Sequence, residues 1–146
     1  MDLAQYGLSE SDIEFLRKKS LSGDLIIVTG SATTVTDICS YTPASGKTFF
    51  LYKASAFSKN VANSGVTYNW LAELQNNAVV KDYFGGQGTS NFQNGATSSA
   101  NVFPKTESVI HGDSLIGDAL KKYRLYLSVV TSATVYGTII GWIEDS

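Results

Sequence analysis

The chain has 146 residues, 43% of them apolar and only 16% charged, which suits one domain that buries a core without the help of disulfides or metals. A net charge of −2, with basic residues clustered only at Arg17-Lys18-Lys19 and Lys121-Lys122, gives no long-range pull toward nucleic acid or an anionic membrane. Cys39 stands alone, so no internal disulfide forms, and no apolar run approaches the roughly 20 residues of a membrane helix.

The first predicted element is a helix. Ser9-Glu10-Ser11-Asp12 has the form of a capping box, in which Ser9 accepts from the amide of Asp12 and the Asp12 carboxylate reaches back to the amide of Ser9. Leu8 and Ile13 are spaced for a hydrophobic staple, Arg17-Lys18-Lys19 suit the negative end of the helix dipole, and Ser22-Gly23 is a stop. Ile13, Phe15, Leu16 and Leu21 form an apolar stripe on a helix of about three turns, too short to stand alone in water. It docks either on its own β domain or, as an arm, on a neighbouring subunit.

Strand patterns follow. Residues 25–28 are a short apolar run, and residues 33–41 alternate Val35, Asp37, Cys39 and Tyr41 against Thr34, Thr36, Ile38 and Ser40. A turn is expected at Thr42-Pro43-Ala44-Ser45-Gly46. Residues 47–57 place Phe49, Leu51 and Phe57 on one face and Phe50, Tyr52, Ala54 and Ala56 on the other, so both faces need cover. Residues 58–65 are a polar connection. Tyr68, Trp70, Ala72 and Leu74 then share one face of a strand whose other face is mostly polar. Asn76-Asn77 suits a two-residue hairpin turn into a returning strand at residues 79–84.

Residues 85–101 are dominated by Gly, Ser, Asn, Gln, Ala and Thr and read as a weak edge strand or a surface loop with a role of its own. Val102-Phe103-Pro104 marks a re-entry, residues 107–110 a short strand, and residues 112–118 a tight loop rich in Asp and Ser. The chain ends on two strands joined by Thr131-Ser132-Ala133-Thr134. Tyr123, Leu125, Leu127 and Val129 face the core in the first. The second sets Val135, Ile139 and Ile143 against Tyr136, Ile140 and Trp142, with no polar face.

One helix and then seven or eight strands with frequent turns predict an all-β fold, an antiparallel jelly-roll-like sandwich with one short N-terminal α-helix. An immunoglobulin-like sandwich is the alternative. Residues 1–22 are expected to form a helical arm and residues 23–146 the sandwich domain.

Motif-like strings do not lead to a reaction. Ala44-Ser45-Gly46-Lys47-Thr48 matches half of a phosphate-binding loop, but Tyr41 replaces its first glycine and a strand follows where a helix is needed. Gly112-Asp113-Ser114-Leu115 matches the block of a serine esterase family. In that family the serine follows the first strand of an α/β fold, whereas here it is late in the chain and the one histidine, His111, precedes it. Asp113 and Asp118 read as turn residues or a minimal calcium pair. No catalytic residue, cofactor site or metal site is assigned, and the chain is expected not to be an enzyme. Tyr68, Trp70, Tyr126 and Tyr136 are candidates for a sugar-stacking face.

The capped helix, the strand pattern over residues 25–146 and the Gly-, Ser- and Asn-rich loops resemble the small jelly-roll proteins of virions. Among these are the decoration, fibre and tail proteins of tailed viruses that infect bacteria or archaea. The resemblance implies a non-enzymatic structural role in a virion, made in the host cytoplasm without a signal peptide. It also implies a symmetric homo-oligomer, with a trimer favoured, and contact with other virion proteins through the N-terminal arm, with neither nucleic acid nor membrane as partner. Ile13, Leu16, Tyr136, Ile140 and Trp142 are the candidate interface residues. A carbohydrate-binding or cytokine-like β-sandwich module is the alternative.

Overall fold

The computed structural model describes residues 8–20, 24–59, 67–89, 107–109 and 113–146. Among them are one helix, α1 (Glu10–Ser20), and nine strand segments: β1 (Asp24–Ala32), β2 (Thr36–Tyr41), β3 (Lys47–Lys59), β4 (Thr67–Asn76), β5 (Val79–Thr89), β6 (Glu107–Val109), β7 (Ser114–Ile116), β8 (Tyr123–Thr131) and β9 (Thr134–Asp145). Leu21, Ser22-Gly23, residues 60–66 and 90–106, and His111 lie outside the described residues.

The strands form two antiparallel sheets, in the orders β1-β9-β3-β6 and β2-β8-β4-β5, with β7 also pairing β3. β6 pairs Lys53 to Ser55 of β3 and β7 pairs Thr48 to Phe50. The two are therefore one interrupted edge, and the sandwich has eight strand positions. Successive strands β1 and β2, β2 and β3, β3 and β4, and β8 and β9 belong to opposite sheets. This alternation is the jelly-roll order. The two final strands, though joined by only Ser132 and Ala133, do not pair: the connection carries the chain from one sheet to the other.

The core between the sheets contains Phe49, Leu51, Ala54 and Ala56 of β3, Tyr68, Trp70, Ala72 and Leu74 of β4, and Tyr123, Leu125 and Leu127 of β8, joined by Phe84, Val135 and Ile139. β9 runs down the middle of its sheet between β1 and β3. At Gly141 a Cβ would stand 2.1 Å from the Phe50 carbonyl oxygen and 2.6 Å from the Phe49 ring, so the phenyl ring crosses the strand only because glycine is there.

The pairings contain four register shifts. The one in β2 puts Ile38 and Cys39, expected on opposite faces, both in the core, and those in β3 and β8 break the alternation read from the sequence most. In β3 the register shifts between Leu51 and Lys53, which turns Ala54 and Ala56 into the core and leaves Phe57 beside Tyr136 on the outer face, where their rings stack at 5.3 Å. In β8, Leu71 of β4 pairs Val129 while Ala72 pairs Leu127, so Ser128 is the extra residue and Val129 turns outward, 41% exposed. Val130 packs on the core in its place. The hairpin turn falls one residue later than expected, on Asn77 and Ala78, both at positive φ (48° and 71°). β5 continues to Thr89, so residues 85–89 are strand rather than loop, and residues 114–116, expected in a tight loop, are β7.

The helix is a third layer. Its capping box forms as expected: the Ser9 amide donates to Asp12 Oδ2 (3.0 Å) and the Asp12 amide to Ser9 Oγ (3.2 Å). Leu8, Ile13, Phe15 and Leu16 pack with Leu25, Ile27, Phe50, Tyr52, Ile140 and Trp142 in a second cluster, on the outer face of the β1-β9-β3 sheet. Phe15 stacks on Tyr52 (5.1 Å) and meets Trp142 edge-on (5.6 Å), and Lys19 lies 5.2 Å over the Trp142 ring. The Tyr52 hydroxyl donates to Asp12 Oδ1, tying the first turn of the helix to the sheet. Burial, the hydrogen bond to Asp12 and the Asp12 charge push Tyr52 up to about 12, and the same hydrogen bond, with that from the Ser9 amide, holds Asp12 below the usual carboxylate range.

Candidate functional site

With α1 over one sheet, no described helix or strand covers the outer face of the other. β4 supplies the frame, because its strict alternation buries Tyr68, Trp70, Ala72 and Leu74 and turns Asn69, Leu71, Glu73 and Gln75 outward. Register then sets three rows across β5, β4 and β8. Gln87 lies beside Asn69 and Asn69 beside Thr131; Gly85 beside Leu71 and Leu71 beside Val129; Tyr83 beside Glu73 and Glu73 beside Tyr126.

Adjacent side chains in such a row stand about 5 Å apart. A groove of about 420 Å3 follows them, lined by Asn69, Leu71, Tyr83, Gln87 and Val129 above a floor of Trp70, Phe84, Gly85 and Gly86. Its depth comes from Gly85, where a Cβ would fill the space 3.2 Å from the Trp70 carbonyl oxygen and 3.5 Å from Leu71 Cδ1. Tyr83 is 52% exposed at its side. β5 is the edge strand of its sheet, and no described strand pairs with its outer edge beside the groove.

Beyond the third row the same face is polar and internally paired. Arg124 donates from Nη1 to Asp37 Oδ1 (2.8 Å) and from Nε to Gln75 Oε1 (2.8 Å), Gln75 donates to Glu73 Oε1 (2.8 Å), and Lys122 meets Asp37 Oδ2 at 2.5 Å. The Arg124 guanidinium also covers the Tyr126 ring at 4.5 Å. The groove thus has aliphatic walls at Leu71 and Val129, an exposed ring and a carboxamide end, and it borders a lattice whose charges are mutually neutralised.

The residues singled out from the sequence are placed as follows. Leu16, Ile140 and Trp142, at 0%, 1% and 7% exposure, are buried together beneath α1, and Ile13 borders the same cluster. The reason is geometric: the helix stripe and the outer face of β9 are the two apolar surfaces that the short connection from α1 to β1 brings together. They form an interior contact of one chain, which corrects their reading as a subunit surface, and residues 8–20 are a layer of the domain rather than a separate arm. Tyr136 alone of the five stands clear of the helix. With Phe57, Thr29, Ser31 and Thr138 it lines a shallow depression of about 300 Å3 at the end of that sheet that α1 does not reach.

The four aromatic residues expected to form a sugar-stacking face are not brought together. Trp70 and Tyr68 point into the core, 2% and 3% exposed, Tyr126 is under Arg124, and Tyr136 is on the opposite sheet. The groove residues Leu71, Tyr83, Gly85 and Gln87 were missed. Their one signal was the glycine pair after an outward tyrosine on a half-buried strand.

Asp113 of the serine-containing string is a structural bridge. Its carboxylate accepts from the Tyr123 hydroxyl and from Asn76 Nδ2 (3.3 Å), lies 3.6 Å from Lys81 Nζ, and its carbonyl accepts from the Leu51 amide (3.0 Å). Burial first, and then this hydrogen bond, raise the Tyr123 pKa. Ser114 opens β7 and pairs with Phe50. Asp118 caps its own turn by accepting from the Leu120 amide (2.9 Å), and among the described residues no three His, Cys, Asp or Glu side chains are grouped to hold a metal. In the other string, Lys47 is held by Asp145 (2.5 Å) and Thr48 by Ser146 (2.8 Å), at the start of β3. Cys39 is buried, and desolvation with the nearby Asp37 charge pushes its thiol up to about 12, which leaves it protonated and inert at neutral pH. No protein-family model matches the chain, and no curated protein matches it.

Proposed function

We propose that the chain is a non-enzymatic structural protein of a virion, a decoration, fibre or tail component that works by assembly and surface attachment. The observation that carries this reading is the jelly-roll strand order with its eight positions filled and its helix folded in as a third layer. It is an argument from architecture, by analogy with proteins that use this fold as a rigid tile. Assembly is assigned to the strip at Phe57 and Tyr136, where a stacked aromatic pair stands among Thr29, Ser31 and Thr138. A homo-oligomer, with a trimer favoured, would bury this strip and leave the groove of the opposite sheet facing outward.

Two measurements test it together. Mass spectrometry of purified particles from the source culture should find the chain at high copy, and light scattering of the isolated protein should give a closed oligomer that Tyr136→Asp dissociates. Absence from every particle fraction, with a monomer in solution, overturns the proposal. A second reading, a carbohydrate-binding module, is favoured by one feature, the ring-and-carboxamide groove on β4, β5 and β8.

A further inference from the structure

We propose that the groove on the outer face of β4, β5 and β8 binds a neutral saccharide. This deepens the carbohydrate-binding reading of that site and is independent of whether the chain is carried on a particle. Three features of the lining select the ligand class.

The first is the carboxamide end. Asn69 and Gln87 are paired across the strands and both are exposed, and among the described residues their side chains make no hydrogen bond with other protein groups. Each carboxamide is a donor and an acceptor at once, which is the complement of a sugar hydroxyl that also gives and takes. A purely apolar ligand would desolvate these groups without replacing their bonds to water.

The second is the apolar wall. The Tyr83 ring, with Leu71 and Val129 on the next row, gives a pyranose a surface for its C–H face. The notch at Gly85 lies between the ring and Gln87 on the same strand, so a ring stacked on Tyr83 has room to lower its hydroxyls toward the carboxamides.

Charge is the third. Glu73 is not in the lining itself but borders it, paired with the lining residue Tyr83, and has one oxygen engaged by Gln75, leaving acceptor capacity for a further hydroxyl at that rim. Arg124, on the same face, is committed to Asp37 and Gln75. Among the described residues, an anionic sugar or a phosphate would therefore meet a carboxylate with no uncommitted cation beside it. The lining favours a neutral, hydroxyl-rich ligand over an acidic one.

The test uses the full chain, isotope-labelled, titrated with neutral mono- and oligosaccharides of glucose, galactose, mannose and N-acetylglucosamine, and with sialyllactose as the anionic comparison. Amide shifts confined to residues 69–73, 83–87 and 129–131 are expected with at least one neutral sugar and not with sialyllactose. Tyr83→Ala should weaken that binding about tenfold, the loss of roughly one stacking contact, and Gln87→Ala severalfold, both at unchanged melting temperature. Tyr136→Ala, on the opposite sheet, should leave it unchanged. Silence toward every neutral sugar, a preference for sialyllactose, or an affinity indifferent to Tyr83→Ala overturns the proposal. So do concentration-dependent shifts of the β5 amides without sugar, which would mean that a second copy occupies this edge. None of these outcomes touches the particle measurement, so the two readings fail separately.

Discussion

The two outer faces of the sandwich solve opposite problems. On the β1-β9-β3 side, Leu25, Ile27, Phe50, Tyr52, Ile140 and Trp142 form an apolar surface, and the chain spends its one described helix on covering it. On the β2-β8-β4-β5 side the outward residues are Asp37, Gln75, Glu73 and Arg124, which pair with one another, and beside them lies a groove that no described part of the chain fills. The difference teaches that a strand with two apolar faces is not by itself a subunit interface. It is completed here from within, and the face open to a ligand is the one that looked ordinary.

The contrast breaks most visibly at its most buried point. Leu16→Ala, beneath the helix at 0% exposure, should cost about 3 kcal/mol in denaturant unfolding, whereas Val129→Ala on the open face should cost less than about 0.5 kcal/mol. Equal costs would mean that the two faces do not differ as described. Next in size is Asp113→Ala, which removes the acceptor of the buried Tyr123 hydroxyl at the edge where β7 meets the hairpin. Leaving that hydroxyl unpaired should cost about 2 kcal/mol, and Tyr123→Phe in the same background should recover part of it.

A smaller effect sharpens how the helix is held. Tyr52→Phe removes one hydrogen bond from Asp12 and should cost about 1 kcal/mol at neutral pH. Because the Asp12 pKa is lowered in the folded chain, its contribution is full above the ordinary carboxylate value, about 4, and is lost as the pH falls through the lowered one. Wild-type stability should therefore decline in acid more steeply than that of Tyr52→Phe, read as melting temperature against pH. The smallest effect is a gain: Ala78 holds a φ of 71° in the hairpin turn, and Ala78→Gly should stabilise by about 0.5–1 kcal/mol.

Much of this was legible in the sequence where local rules decide. The capping box at Ser9 and Asp12, the buried face of β4 and the two-sided character of β3 and β9 follow from spacing alone, and they are present. What was not legible depends on residues that break the period. A bulge at Tyr52 and another at Ser128 invert every side chain beyond them, and no single-residue preference marks either position. The groove was hidden for the same reason. It needs Val129 turned outward by the Ser128 bulge and residues 85–87 in a strand, and a run of Gly and Gln carries little strand propensity of its own. The helix stripe was readable, but what it would cover was a tertiary choice.

Trp142 reports on that choice directly. In a chain carrying Trp70→Phe, so that Trp142 is the sole indole, acrylamide quenching of the isolated protein should be weak and should become strong only when the helix is undocked by Leu16→Asp. Strong quenching of Trp142 with the helix intact would contradict the account, because it would return the outer face of β9 to the solvent and make it, rather than the groove, the surface that the fold leaves to be used.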